Sequence, residues 1–327
     1  MTASVDVAAV GSLRGRDLVG AADLSPAEVR RLFDLATALK AEFASTRRHD
    51  PLPLAGRTIA MLFERPSLRT RVTFEAGMAQ LGGHAVALTP GGVGWGARET
   101  VADVAANLDN FVDGLVIRTG PHEIVAEFAA RARIPVINAL TLREHPCQAL
   151  ADVFTLREAF GRTAGLVVAF VGDGNNVYHS LAIMAAGQGI EVRLAHPAGY
   201  GANPRLVEAA IARAAETGGR LGFTADPREA VAGADVIYTD AWTSMGQEAE
   251  AGERRAAFEP YRVDGALLEV AGPDVRVMHC LPAHRGDEIT SDVLDGPASI
   301  VLRQSENRLH VQKALLVELL GETGPMA

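Results

Sequence analysis

Short apolar runs alternate with helical patterns along almost all of this 327-residue chain, and no other feature restricts its fold so strongly. In the first half the runs are Thr58–Phe63, Ala85–Leu88, Gly114–Ile117 and Val136–Ala139, with helical patterns near 68–81, 100–111, 122–132 and 147–160. The second half repeats the theme with Leu166–Val171, Glu191–Ala195, Arg220–Phe223, Val236–Thr239 and Val275–His279, and helical patterns near 177–187, 204–217 and 227–233. Strands that are apolar throughout are buried on both faces. A strand–helix–strand succession supplies the helices that bury them and feeds a parallel sheet. The pattern predicts an α/β chain of two doubly wound parallel-sheet domains with an interdomain cleft. Residues 1–13 read as a loose leader, 14–160 as the first domain and 161–305 as the second, with the boundary near Gly161–Gly165. A last helix, about 306–320, is expected to pack back, with the tail to 327, on the first domain. Ser25-Pro26-Ala27-Glu28 is a capping box with proline at the first helical position, and it opens the first helix.

Composition narrows the function classes. A formal net charge of -9 argues against broad nucleic-acid binding, which needs a basic surface, but leaves room for a small basic pocket. No apolar run is long enough to span a membrane. The first basic residue is Arg14, so the start lacks the charge of a secretory signal or transit peptide. The only cysteines, Cys147 and Cys280, lie far apart in chemically dense segments, which fits a reducing cytoplasm better than a disulfide framework.

Ionisable residues crowd into a few segments, each after a strand, where open α/β sheets collect ligands. Ser67-Leu68-Arg69-Thr70-Arg71 follows an apolar strand and opens a helix. Backbone N–H groups, the helix dipole, two hydroxyls and a guanidinium fork suit a phosphate there, although a capped helix with surface arginines explains the same residues. Arg118 closes a strand. His145-Pro146-Cys147-Gln148 opens another helix, with Cys147 read as a packing residue. Gly172-Asp173-Gly174-Asn175-Asn176 invites a dinucleotide reading, but the third glycine of that fingerprint would fall at Val177 and no ribose-binding acid follows the next strand. Asp240-Ala241-Trp242-Thr243-Ser244-Met245-Gly246 and Met278-His279-Cys280-Leu281-Pro282-Ala283-His284 complete the set. The second of these has no paired spacing that supports a zinc site, and no metal is expected.

Taken together these segments resemble the ornithine carbamoyltransferases, from about Leu13 to Leu320. The resemblance implies that Ser67, Leu68, Arg69, Thr70, Arg118, His145, Gln148, Cys280, Leu281 and Arg308 bind carbamoyl phosphate. His145 would donate to the carbonyl oxygen and Gln148 would orient the carbamoyl amide. It implies that Asn176, Asp240, Ser244 and Met245 bind L-ornithine, with Cys280 and the Leu281 carbonyl beside its δ-nitrogen. Arg69, His145, Asp240 and Cys280 would be the catalytic set. No cofactor is implied. The partners are small molecules, with no nucleic acid and no membrane, and the family implies a homotrimer or a multiple of trimers, acting in arginine biosynthesis.

Two positions depart from the family pattern. Most members have threonine where this chain has Leu68, and enzymes for N-acetyl- or N-succinyl-ornithine carry Leu or Met there. Asp240 speaks for free ornithine, because an acylated α-nitrogen carries no charge to pair with it. Around Gly91–Arg98, where relatives offer a His or Gln from a neighbouring subunit, this chain has Trp95 and Arg98. A non-catalytic binding protein on the same fold is the reading from another class, and the intact Arg69, His145 and Cys280 argue against it.

Overall fold

The computed structural model describes residues 11–89, 98–243 and 247–321. They form two compact units: one holds the chain up to Leu142 together with the residues from Arg308 onward, the other Arg143–Asn307. Each is built on its own parallel sheet.

The first unit carries β1 (Thr58–Phe63), β2 (His84–Leu88), β3 (Gly114–Arg118) and β4 (Val136–Leu140), in the order β2-β1-β3-β4. All pairs are parallel, with Ile59 opposite Ala85 on one side of β1 and Phe63 opposite Arg118 on the other. The interior of β1 and all of β3 are buried, which is why these strands read as unbroken apolar runs, whereas the edge strand β2 is largely exposed. Ala60, Leu62, Leu115, Ile117, Val125 and Phe128 form one face of the core. Each large side chain buried there stabilises by about 1.5–3 kcal/mol relative to exposure.

Two features of this unit were not legible in the sequence. Leu18 pairs with the free edge of β4, its N–H donating to Val136 O at 2.9 Å and its carbonyl accepting from Asn138 N at 2.8 Å. Leu13, at the end of the stretch expected to be loose, is fully buried, while residues 1–10 lie outside the described residues. A buried polar cluster also forms on the last helix, Val301–Leu320: Lys313 Nζ sits 2.9 Å from His49 Nε2 and 3.0 Å from Gln80 Oε1. His49 Nδ1 in turn meets the Glu42 carboxylate, and the Phe43 ring centroid lies 4.5 Å from the ammonium. Burial pushes the Lys313 pKa down to about 8, against the opposing pull of Glu42.

The second unit carries β5 (Val167–Val171), β6 (Glu191–Ala195), β7 (Arg220–Thr224), β8 (Val236–Thr239) and β9 (Arg276–His279), in the order β7-β6-β5-β8-β9. In each sheet the strand order reverses at one point, between β1 and β3 and between β5 and β8. Ligands in such sheets bind outside the carboxyl ends of strands at that switch point.

The last helix begins at Val301, about five residues before the apolar pattern would start it. Its first turns hold buried Gln304 and Asn307, bonded to Asp152, Thr155 and Glu158 of helix Pro146–Phe160. Inward-facing polar residues hide a helix from apolar periodicity. The same bonds tie helix Pro146–Phe160 to the second unit, so the compact division falls before that helix rather than after it.

Candidate active site

At the first switch point, the chain leaving β1 passes Glu64, whose N–H donates to Arg118 O at 2.9 Å, and reaches Ser67 and Leu68. Ser67 and Arg69 are half-buried, Thr70 is buried, and Leu68 is 73% exposed. Helix Arg69–Gln80 therefore starts with Leu68 at its N-cap and no side-chain cap, leaving its first N–H groups to other acceptors. Arg118 ends β3 and is buried, directly across the ladder from Phe63. Arg308 is 2% exposed, and its Nη2 donates to Thr70 Oγ1 at 3.1 Å. Arg71 is instead exposed and paired with Glu75 at 2.9 Å, one turn on. Thus the unit sets Thr70 and Arg308 in contact at a helix start, with Arg118 at the neighbouring strand end. Guanidinium groups and the N–H groups of a helix start suit a dianionic phosphate. Arg98 is exposed, and Trp95 lies outside the described residues.

In the second unit, His145 caps helix Pro146–Phe160 through its backbone and is 5% exposed. Its N–H donates to Ser180 Oγ at 2.9 Å, and that hydroxyl donates to Glu144 Oε2 at 3.1 Å. Gln148 is buried one turn into the same helix, and its Nε2 donates to Asp152 Oδ1 at 2.8 Å.

At the second switch point, Gly172 leaves β5 with φ 145°. A Cβ on Gly174 would lie 2.3 Å from Ala202 N, so this glycine is required by the approach of the 201–202 backbone. That accounts for the glycines without a bound pyrophosphate. Asn175 caps helix Asn176–Ala186, accepting from Val177 N at 3.0 Å, and its Nδ2 donates to Asp240 Oδ2 at 2.8 Å. The asparagine in contact with Asp240 is therefore Asn175, while Asn176 begins the helix. Asp240 Oδ1 accepts from Ala241 N at 2.8 Å and from the Cys280 thiol at 2.9 Å. Three of the roughly four lone-pair positions of the carboxylate are thus occupied by neutral donors. Asp240 and Cys280, which sequence reasoning sends to opposite ends of ornithine, share one hydrogen bond.

His279 ends β9 fully buried and sets the next turn. Its Nδ1 accepts from Leu281 N at 2.8 Å, so its proton is on Nε2, which faces Glu288 Oε1 at 3.1 Å. Leu281 has φ 59°, a strained conformation for a branched side chain, and a cis peptide joins it to Pro282. One oxygen of Asp240, a ring nitrogen of His279 and Cys280 Sγ lie within 4.8 Å of one another, a donor set of the kind that holds zinc. Both ring nitrogens of His279 are already engaged, which weighs against that use. Ser244 and Met245 lie outside the described residues.

Sequence reasoning missed several supporting groups. Arg254 is buried and ties Asp173 to the Trp242 carbonyl, the latter at 2.5 Å, while stacking over Tyr200. Burial raises the Asp173 pKa, with the Arg254 charge opposing it. Asp152 was accessible from sequence, since it lies four residues from Gln148 and so on the same helix face. Nothing local points to Arg254, Gln304 or Glu288.

Comparison with known proteins turns this geometry into a family. Residues 16–158 match the carbamoyl-P binding domain of the aspartate/ornithine carbamoyltransferases, and residues 164–319 match their Asp/Orn binding domain. The chain belongs to the aspartate/ornithine carbamoyltransferase family. An ornithine carbamoyltransferase of Anoxybacillus flavithermus is 49% identical over 97% of this chain and 100% of its own. The solved ornithine carbamoyltransferase from Pyrococcus furiosus superimposes with a TM-score of 0.93 at 46% identity, covering 96% of this chain and 100% of that one. A solved N-acetyl-L-ornithine transcarbamylase is more distant, with a TM-score of 0.83 and 32% identity over 93% of this chain and 99% of its own. The two family domains break between 158 and 164, so the family division and the compact division differ by helix Pro146–Phe160 and by residues 308–319, which the family model places with the Asp/Orn binding domain and the compact division with the first unit. Among the described residues, no helix is long and apolar enough to cross a membrane.

Proposed function

We propose that this carbamoyltransferase family member moves the carbamoyl group of carbamoyl phosphate to the δ-amine of L-ornithine, giving L-citrulline and phosphate. The observation that carries the choice of acceptor is the Asp240–Cys280–Asn175 cluster at the ends of β5, β8 and β9. It presents an anionic carboxylate, which suits a cationic diamino acid and repels a dicarboxylate such as aspartate.

In this reading residues 14–160 and the last helix bind carbamoyl phosphate, and 161–305 bind ornithine. Ser67, the Leu68 backbone, Arg69, Thr70, Arg118 and Arg308 hold the phosphate, while His145 donates to the carbonyl oxygen and Gln148 accepts from the amide. Asp240, Asn176, Ser244 and Met245 hold the amino-acid head, and Cys280 and the Leu281 carbonyl receive the δ-nitrogen. The neutral δ-amine attacks the carbonyl carbon, and His145 stabilises the oxygen as it gains charge. The tetrahedral species then expels phosphate, which carries away the bonding pair and takes up the proton that the attacking nitrogen gives up. Phosphate is already a good leaving group, so positioning and charge stabilisation supply the rate and the reading requires no metal or cofactor. The finer expectations are a homotrimer in which Trp95 or Arg98 reaches a neighbouring site, a cytoplasmic location and a part in arginine biosynthesis.

The test is product formation from carbamoyl phosphate with ornithine, N-acetylornithine, N-succinylornithine, putrescine and aspartate side by side. Citrulline from ornithine alone supports the proposal. Turnover only with an acylated ornithine would make Leu68 the deciding residue and remove Asp240 from recognition of the α-ammonium.

A further inference from the structure

Asp152 is fully buried in the second unit, and the reaction as described gives it no task. Its carboxylate accepts from three side chains: Gln148 Nε2 at 2.8 Å and Gln304 Nε2 at 2.7 Å on Oδ1, and the Tyr238 hydroxyl at 3.0 Å on Oδ2. The direction of every one of these bonds can be fixed from the far end. Gln304 Oε1 accepts from the backbone N–H of His279 at 2.9 Å, a group that can only donate. Gln304 must therefore turn its Nε2 toward Asp152 and the Tyr238 oxygen, the latter 3.0 Å away. Tyr238 accepts that N–H and gives its own proton to Asp152. Burial, and then the charge of Asp152, hold the Tyr238 pKa well above the usual 10, so the phenol stays a donor. An ionised carboxylate offers acceptors only, so Gln148 has one choice left: its Nε2 faces Asp152 and its carbonyl oxygen lies on the opposite side of the amide.

We propose that Asp152 is a positioning residue for donor specificity: it locks the Gln148 amide so that an acceptor, not a donor, meets the amino group of carbamoyl phosphate. The proposal rests on the reading of Gln148 as the residue that orients the carbamoyl amide. It makes the site select an acyl phosphate that carries N–H over one that carries a methyl group. Through Gln304 the same carboxylate is tied to the backbone just before Cys280, so donor selection and the amine-end loop share one buried network.

Acetyl phosphate, with a methyl where carbamoyl phosphate has its amino group, separates this role from a structural one. The experiment measures kcat/KM for carbamoyl phosphate and the inhibition constant of acetyl phosphate on the wild-type enzyme and on Gln148→Ala, Gln148→Glu, Asp152→Asn and the double variant Asp152→Asn/Gln148→Glu. In Asp152→Asn one of the two acceptor oxygens becomes an N–H2 donor, so the group cannot accept from Gln148, Gln304 and Tyr238 together and the Gln148 amide is no longer held in a single sense. That should lower kcat/KM for carbamoyl phosphate by about 10–100-fold, the scale of one mispaired buried group, with the acetyl phosphate constant unchanged. In the double variant the new carboxylate accepts from the new amide and again offers an oxygen to the substrate, so it should exceed both single variants in activity. Equal losses for both acyl phosphates, or a double variant no better than the singles, would overturn the proposal. Should Asp152→Asn fail to fold, the double variant decides alone: wild-type discrimination between the two acyl phosphates supports the proposal, and lost discrimination overturns it. Gln148→Ala separates the two levels. If it leaves the discrimination intact, the reading of Gln148 fails and takes the proposal with it; if it abolishes discrimination while Asp152→Asn does not, only the proposal fails.

Discussion

The two units solve the placement of functional groups differently. In the first, the groups sit where local backbone puts them: Thr70 and Arg69 in the opening turn of a helix, Arg118 as the last residue of a strand, with Arg308 joined to Thr70 by one bond. In the second, the groups hang in a buried lattice of side chains distant in sequence. Asp152 bonds residues 4, 86 and 152 positions away, and His279 is fixed at one end by Gln304 and at the other by Glu288. A phosphate needs charge and N–H groups roughly aimed, which a helix start provides. Recognition of an uncharged amide and a reacting nitrogen needs donors and acceptors in a defined sense, and a buried network holds them in that sense.

This contrast can be broken by substitution, and the effects should grade from the network to the periphery. Asp240→Ala removes the acceptor shared by Asn175, Cys280 and the proposed α-ammonium. It should lower kcat/KM for ornithine by about 10³-fold or more, within the 2–5 kcal/mol scale for losing one partner of a buried charged contact. Binding of carbamoyl phosphate, measured by calorimetry in the absence of ornithine, should be retained. If both substrates weaken alike, the division of labour between the clusters is wrong. His145→Ala should reduce kcat by about 10²–10³-fold, the cost of one oxyanion donor, and an unaltered kcat would take His145 out of that role. Thr70→Val deletes the hydroxyl that accepts from Arg308. It should raise the KM for carbamoyl phosphate by about tenfold, since a buried donor left without its acceptor costs about 1–3 kcal/mol, with little change in the KM for ornithine.

The smallest expected effect lies in the scaffold of the first unit. The Lys313 pKa is lowered to about 8 in the folded chain, against about 10.4 unfolded. Between those values the unfolded chain binds more protons, so this group adds stability as pH rises through that window and contributes least below about 8. The urea midpoint of the wild-type protein minus that of Lys313→Met should therefore rise from pH 7.5 to pH 10. A flat or falling difference would mean that the His49 and Gln80 contacts compensate the buried ammonium fully.

Legibility in the sequence follows the same divide. Among the described residues, the central strands of the two parallel sheets are visible because both-face burial forces continuous apolar runs, as in Leu115–Ile117 and Val168–Val171, whereas the edge strands β2 and β7 are largely unburied. The Ser67–Thr70 segment is visible because its geometry is local. Leu18 on the edge of β4 is invisible, since one bridging residue leaves no periodic trace. Gln304 is invisible because an inward glutamine on a helix looks like a surface one until its partner 152 residues away is known. Asn175 is one position from Asn176, the asparagine that the resemblance implies, and only the helix cap at Asn175, which turns its Nδ2 to Asp240, distinguishes the two. Tyr238 hides inside an apolar strand, where an aromatic ring is expected and its hydroxyl goes unnoticed.

The central claim is that this chain transfers an intact carbamoyl group from phosphate to the δ-nitrogen of ornithine. Following carbonyl-13C carbamoyl phosphate by NMR in the presence of enzyme and ornithine tests it most directly. The account predicts that the label moves to the ureido carbon of citrulline, with one phosphate released for each citrulline formed, and that acetyl phosphate slows the transfer competitively. Label appearing as bicarbonate or cyanate at the rate of the enzyme-free control, with no labelled citrulline, would contradict it.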